Sequence, residues 1–314
     1  MKRRLLDLLV CPMCKSELSL RTDLASGDEI VSGTLSCGAC RIGYPVARGI
    51  PRFVAQDGYA ESFGDEWHRF RTVQLDSANG TRESEDGFRL KTGLGPRDVR
   101  GRLVLDAGAG AGRYAEVMAR WGGEVVGVDL TRAIDAAAEN LRQWPGVYLV
   151  QADLFALPFR DETFDIAYSI GVLHHTPDPA TAFERVAAAV KKGGQFCIYV
   201  YFAGGLARYV SDALRVITTR LPRSLVYYVS TVAIPLYFLH RLPVVGRVSQ
   251  ALLPTNTNPD WRWRWLDTFD WYTPKYQWKH RYPEVLRWFR EAGFSDLHVA
   301  DEPICVRGLK VSVP

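Results

Sequence analysis

The chain has 314 residues, 47% of them hydrophobic, and a formal net charge of +4 at pH 7. That is enough apolar material for a sizeable core, which excludes a disordered or fibrous chain and predicts one large or two modest domains. The mildly basic balance, with a pI near 8.7, is compatible with nucleic acid or an anionic membrane surface and selects neither. At the N-terminus the apolar stretch within residues 1–11 is short and interrupted by Asp7. It does not read as a secretion signal, so a cytoplasmic location is expected.

Cys11-Pro12-Met13-Cys14 and Cys37-Gly38-Ala39-Cys40 form two Cys-x-x-Cys knuckles separated by 22 residues. Four thiolates in two such pairs complete a closed tetrahedral shell, which predicts one structural zinc on Cys11, Cys14, Cys37 and Cys40. The alternative is a pair of redox dithiols, but no thioredoxin-like βαβ pattern surrounds them. A module of this size needs a metal or a similar staple to fold. Cys197 and Cys305 sit in or near apolar strands and read as inert core thiols. The ribbon is expected over residues 1–55, with a linker at 55–59 and an aromatic-rich short helix at 61–70. Residues 77–95 are polar and glycine-containing and read as a loop that orders on binding.

The apolar run 103–105 predicts a buried strand. It ends on Asp106, which is followed by Gly108, Gly110 and Gly112 and then a helix over 113–121. Glycines permit a tight turn and close approach of a ligand to the backbone, and such a turn is where open α/β sheets bind nucleotide-like ligands. Asp106 narrows the choice. A pyrophosphate wants helix-end N–H groups, and a carboxylate there repels it. The acid suits a cationic ligand bearing an ammonium and a sulfonium, and points away from NAD. A second strand, 125–129, ends in Asp129, placed to take two ribose hydroxyls, with Leu130 beside it. Asp153 and Leu154 follow a third strand at 147–150 and are positioned to bracket an adenine. A fourth strand spans 164–171, includes Ile170, and runs into Val172-Leu173-His174-His175.

A helix is expected over 177–191, ended by Gly193-Gly194, and a fifth strand over 195–202. Its partner helix appears only at 283–292, before strands at 295–300 and 306–313. Residues 203–281 therefore form an insert. Between Gly204 and Thr255 it holds six arginines and one acid, Asp212, and residues 224–239 carry no charge. Pro235 and the short length exclude a spanning helix. The apolar part either lies in a membrane interface, roofs a greasy pocket, or is buried against the sheet or a dimer partner. Residues 260–281 hold five of the nine tryptophans. They supply the aromatics of a small-molecule pocket, with Asp270 and Tyr272 as site candidates, or the core of a cap.

The ordered set Asp106, Gly108, Gly110, Gly112, Asp129, Asp153 and Leu173-His174-His175 resembles the class I S-adenosylmethionine-dependent methyltransferases, in the quinone-methyltransferase-like branch. The likeness runs over about 101–202 and returns near the C-terminus. The N-terminal segment, through Tyr44-Pro45-Val46-Ala47-Arg48-Gly49-Ile50-Pro51, resembles small zinc-ribbon proteins that activate methyltransferases and the ribbon fused to some ribosomal-RNA guanine methyltransferases. These resemblances imply an α/β, Rossmann-like seven-stranded sheet whose last strand is antiparallel, an N-terminal zinc ribbon, and a helical, aromatic insert on the substrate side after strand five. The methyltransferase domain then covers 56–314. S-adenosylmethionine is expected on Asp106, Gly108, Gly110, Gly112, Asp129, Leu130, Asp153, Leu154 and Ile170. His175, ahead of His174, is the candidate base beside the methyl group. Phe63 and Trp67 either lid the cofactor or pack on the sheet.

Two acceptor classes compete. One is a small or lipid-linked molecule, with peripheral contact at the membrane. The other is RNA, read by the ribbon, by Lys2-Arg3-Arg4 and by the arginine-laced Trp261-Arg262-Trp263-Arg264-Trp265. A zinc-ribbon scaffold with a degenerate transferase is a third reading, against which the intact Asp106, Asp129 and Asp153 argue. A homodimer is compatible with all three.

Overall fold

The computed structural model describes residues 1–54, 70–204 and 206–311. The linker at 55–59, the candidate lid residues Phe63 and Trp67, and the expected boundary between the two domains lie outside the described residues. A four-stranded antiparallel sheet forms first, from β1 (Leu18–Ser26), β2 (Glu29–Cys37), β3 (Ile42–Ala47) and β4 (Ile50–Pro51) in that order.

The larger sheet holds β5 (Leu103–Ala107), β6 (Glu124–Asp129), β7 (Val147–Gln151), β8 (Phe164–Ile170), β9 (Val190–Tyr199), β10 (Phe294–Val299) and β11 (Cys305–Lys310), in the order β10-β11-β9-β8-β5-β6-β7. Strand β11 runs antiparallel to both its neighbours, while β5 to β9 are mutually parallel. All five residues of β5 are buried, because helices cover both faces of a parallel sheet and leave no solvent side for polar alternation. Phe159, Phe164, Phe183, Phe196 and Phe289 fill one face. Phe88, Met118, Trp121 and Tyr168 fill the other.

The first of these clusters does not stop at the α/β sheet. It also takes in Leu5, Leu9, Ile30, Leu35 and Tyr44 of the ribbon. Polar contacts follow the same seam. Lys2 Nζ donates to the carbonyls of Trp144, Pro145 and Val147 at 3.3, 2.8 and 3.3 Å. Lys15 Nζ donates to Leu157 O and Phe159 O. Arg52 pairs with Asp135 at 2.7 Å and with Gln151 Oε1 at 2.7 Å, and Phe53 N donates to Gln151 O. The ribbon is docked, not tethered.

Three expectations need correction. Residues 77–95 are not a loop: Glu83–Thr92 is a helix with Ser84, Glu85, Phe88 and Thr92 buried. Its polarity is used internally, since Glu85 bonds Arg82, Arg89 and Arg120. The helix begun at Pro179 ends at Ala188, and β9 starts at Val190, so Gly193 and Gly194 lie inside the strand at an irregularity in its pairing with β8. A Cβ on Gly194 would stand 2.7 Å from Asp165 O, so only a glycine lets the strand pass there. Nor is the apolar part of the insert a hairpin buried against the sheet. It breaks into the helices Leu206–Thr218, Arg223–Val229, Ala233–His240 and Val245–Leu252, with many large apolar side chains exposed. No helix among the described residues is long and apolar enough to cross a membrane.

Candidate cofactor and acceptor site

The loop after β5 is set by backbone. Gly108 N and Ala109 N both donate to Val128 O at 2.8 and 2.9 Å, pulling the turn against the end of β6. Gly108 has φ +99°, and a Cβ there would meet Val172 Cγ2 at 2.3 Å. Only glycine satisfies both demands. Gly112 opens the helix Arg113–Arg120 at φ 91°, and a Cβ on it would strike Leu141 Cδ1 at 2.5 Å.

Asp129 latches the same loop from the next strand. Its Oδ2 accepts Gly110 N at 2.8 Å, and its Oδ1 accepts Thr131 N at 2.8 Å and Thr131 Oγ1 at 2.7 Å. Asp153 accepts Phe155 N at 3.0 Å and caps the short turn Leu154–Ala156, which sets Leu154 in place. These elements close around a cavity of about 690 Å³. Gly108, Gly110, Asp129, Leu130, Leu154, Ile170 and His175 line it. Asp106, Gly112, Asp153 and His174 stand behind that first layer.

Asp106 is buried under the glycine turn. Burial pushes its carboxyl up to about 7, with repulsion from Asp129 adding to the effect and the Tyr168 hydroxyl opposing it. Its Oδ2 meets no donor at hydrogen-bonding geometry. An orphaned buried carboxylate oxygen beneath a cradle that any Cβ would fill fits a ligand that brings its own cationic donor.

The two histidines divide. His174 is fully buried and stacks on Tyr201 with ring centroids 3.9 Å apart. Burial holds it well below its ordinary pKa, with the neighbouring His175 adding repulsion. His175 reaches the cavity, and its Nδ1 lies 2.8 Å from Tyr276 O. A carbonyl only accepts, so Nδ1 carries the proton and Nε2 is the basic nitrogen. Burial lowers its pKa to about 4, partly offset by the Tyr276 carbonyl.

The opposite wall comes from the insert. Asp267, Asp270, Trp271, Gln277 and Lys279 face the same space. Asp267 accepts from Trp263 Nε1, Gln74 Nε2 and Asn256 Nδ2 at 3.1, 3.1 and 2.7 Å, and burial pushes its carboxyl up to about 7. Lys279 pairs with Asp212, and burial lowers its pKa. Asp270 lines the cavity, whereas Tyr272 does not: its hydroxyl donates to Pro254 O at 2.6 Å. Asp267, Lys279, Arg208 and Tyr201 were not singled out from sequence. The one available signal for Asp267 was its spacing of four residues from Trp263 on one helix face.

In the ribbon, the four sulfurs of Cys11, Cys14, Cys37 and Cys40 all lie within 4.8 Å of one another. A tetrahedral zinc shell asks for sulfurs about 3.8 Å apart. Tyr44 Oη lies 3.4 Å from Cys11 Sγ, and Cys40 N donates to Cys37 Sγ at 3.3 Å. These donors suit thiolates more than thiols, so the four residues fit one zinc ion.

Comparison with known proteins agrees with both halves. Residues 105–198 match the family described as methyltransferase domain, and residues 2–49 match the family of Trm112p-like proteins. A ubiquinone biosynthesis O-methyltransferase of Alkalilimnicola ehrlichii is 39% identical over 99 residues, covering 31% of this chain and 40% of that protein. The methyltransferase YcgJ of Bacillus subtilis, itself uncharacterized, is 35% identical over 125 residues, covering 38% of this chain and 48% of its own. The chain thus spans about half the length of the curated relatives it matches. Among solved structures, a complex of the Haloferax volcanii Trm112 methyltransferase activator with a methyltransferase superposes with a TM-score of 0.45 at 14% identity, covering 80% of this chain and 98% of that one. Residues 105–198 are thus a methyltransferase domain, and residues 2–49 a Trm112p-like segment carried on the same chain.

Proposed function

We propose that the protein transfers a methyl group from S-adenosylmethionine to a small or lipid-linked acceptor bound beneath the insert. One observation carries this reading. A single cavity joins Gly108, Gly110 and Asp129 at one end to His175 and the polar wall of the insert at the other. When bound, S-adenosylmethionine supplies an electrophilic methyl on a sulfonium, open to in-line displacement. Asp129 takes the ribose hydroxyls, Leu130 and Leu154 flank the adenine with Asp153 fixing the turn, and Gly108, Gly110, Gly112 and Ile170 leave the space. Asp106 serves the ammonium. His175 stays neutral through the physiological range and receives the acceptor's proton on Nε2, which suits an acidic hydroxyl such as a phenol or enol.

The RNA alternative loses part of its basic set, keeping Arg3, Arg4 and Arg262 exposed. Lys2 spends its donors on three carbonyls of the seam, and Arg4 pairs with Glu124. Trp263 and Arg264 are buried, with Arg264 donating to Asn258 O and Pro259 O. A reader of phosphates needs those cations in solvent.

Two measurements test the proposal. Incubating protein, methyl-labelled cofactor and separate lipid, aqueous and RNA extracts should label a small or lipid-linked molecule, and label in RNA alone would reject it. Substituting His175→Gln should lower kcat by about 100-fold or more while cofactor affinity changes less than threefold; unchanged turnover would remove His175 as the base.

A pH dependence follows from Asp106. Protonated, its carboxyl gives an ammonium nothing; ionised, it pairs with it. With the carboxyl at about 7, affinity should rise with pH, by about fivefold between pH 6 and pH 7, before the ligand's own amino group deprotonates. Calorimetry in two buffers of different ionisation enthalpy should detect the proton released. The Asp106→Asn variant should bind more weakly and with a flat profile. A flat profile in the parent protein would separate Asp106 from the ammonium.

A further inference from the structure

The insert has two faces with opposite character. Inward, Arg208, Ser211, Gln250, Pro254 and Asn256 line the cavity. Outward, the same stretch exposes Ile217, Leu225, Phe238, Leu242, Val248 and Leu252, among other large apolar residues. Phe238 is 70% exposed and Val244 is 76% exposed. Val244 also sits at φ +62°, a left-handed conformation that β-branched residues avoid. The turn there is closed by Val245 N donating to Pro243 O, and so many exposed apolar side chains on one face mark an interaction surface.

Charge identifies the receiver. From Ala213 to Pro259 the chain contains no aspartate or glutamate, yet it carries Arg220, Arg241 and Arg247 on the exposed side. Among the described residues none of these three forms an ion pair; the side chains of Arg220 and Arg241 bond only four residues back, to Val216 O and Tyr237 Oη. A second copy of the chain is a poor occupant. A two-fold interface brings the same patch to itself, so these arginines would face arginines with no acid in the patch to pair them. Nucleic acid gains nothing from aliphatic side chains. An anionic bilayer satisfies both halves, with apolar residues at the acyl boundary and arginines among the headgroups.

We infer that the outer face of residues 209–253 docks on the surface of an anionic lipid bilayer. The face stands over the cavity, so docking would present the acceptor end to lipid. In that respect the inference deepens the proposed lipid-linked acceptor and rests on it for its purpose, but the docking itself needs neither cofactor nor acceptor.

The test is co-sedimentation of the full chain with phosphatidylcholine vesicles and with vesicles of phosphatidylcholine and phosphatidylglycerol. The anionic vesicles should bind strongly and the neutral ones much less. Arg220→Gln, Arg241→Gln and Arg247→Gln together should weaken anionic binding by about 100-fold, since each cation near such a surface contributes about fivefold. A second variant, Phe238→Glu with Val244→Glu and Val248→Glu, should abolish binding to both. Cofactor affinity by calorimetry should match the parent for both variants, showing that each is folded. Absence of binding to anionic vesicles would overturn the inference. So would binding that the acidic variant leaves intact, or a vesicle-free dimer that the acidic variant splits to monomer. Any of these would leave methyl transfer standing, whereas failure to find a labelled small or lipid-linked acceptor would leave the vesicle result standing.

Discussion

Removing the metal from freshly reduced protein should unfold the ribbon. Metal analysis is expected to return about one zinc per chain, held by Cys11, Cys14, Cys37 and Cys40, because their four sulfurs form a single cluster. Binding of such a structural zinc is worth about 10–16 kcal/mol, and in small modules it is the folding free energy itself. Cys37→Ser, or prolonged chelation, should therefore abolish zinc and the ribbon's protection from hydrogen exchange together. The effect should not stop there. Leu5, Leu9, Ile30 and Tyr44 share a core with the α/β sheet, and Arg52 is bound to Asp135 and Gln151. If the docked ribbon contributes about 3 kcal/mol to the sheet, the remaining transition should fall by about 10 °C, at roughly 2–4 °C per kcal/mol for a domain of this size. Protein prepared reduced and found without zinc would refute the assignment.

The second large effect should appear at Asp129. Replacing it with alanine removes a carboxylate poised for two hydroxyls and also frees Gly110 N and Thr131 from their bonds at 2.8 Å. Hydrogen bonds to a charged acceptor are worth about 1.5–3 kcal/mol each, so two of them predict a loss of 100-fold or more in affinity for S-adenosylmethionine. Asp129→Asn keeps the shape and loses the charge, and should fall between. NAD should not bind either parent or variant, since Asp106 repels a pyrophosphate where the loop would hold it. Calorimetry showing tight NAD binding, or an Asp129→Ala affinity within threefold of the parent, would overturn the cofactor site.

Much of this was legible because it is written in short stretches. A buried strand ending on Asp106, glycines at alternate positions, a second acid at Asp129 and two Cys-x-x-Cys knuckles each act over a few residues, so sequence spacing alone locates them. What failed to show depends on partners far away. The helix Glu83–Thr92 looked like a loop because its buried face is Ser84, Glu85, Phe88 and Thr92. Asp76 accepts the backbone N–H groups of Ser84 and Glu85, while the Ser84 hydroxyl and the Glu85 carboxylate are met by Arg113 and Arg120, which the fold brings from a later helix. The start of β9 was hidden because Lys191-Lys192-Gly193-Gly194 has the composition of a helix end; Lys191 pairs with Asp165 across the sheet instead. Lys2 looked like part of a basic patch, and only the fold shows three carbonyls waiting for it. Asp267 and Lys279 owe their places to the way the insert folds back over the histidine turn, where Trp278 N reaches His174 O.

The docking of Arg52 and Phe53 beside β7 has a consequence for solubility. Strand β7 is the last of its sheet, and such a strand offers unpaired backbone to any extended chain that meets it. In this molecule Arg52 bridges to Gln151, Phe53 N donates to Gln151 O, and Lys2 caps Val147 O at the other end. The ribbon is thus a guard as well as a module. A molecule that loses its zinc also bares a sheet edge, and two such molecules can add strands to one another. Oxidation or chelation during purification should then show itself first as slow association, with gain of intermolecular β-structure, before any loss of helix.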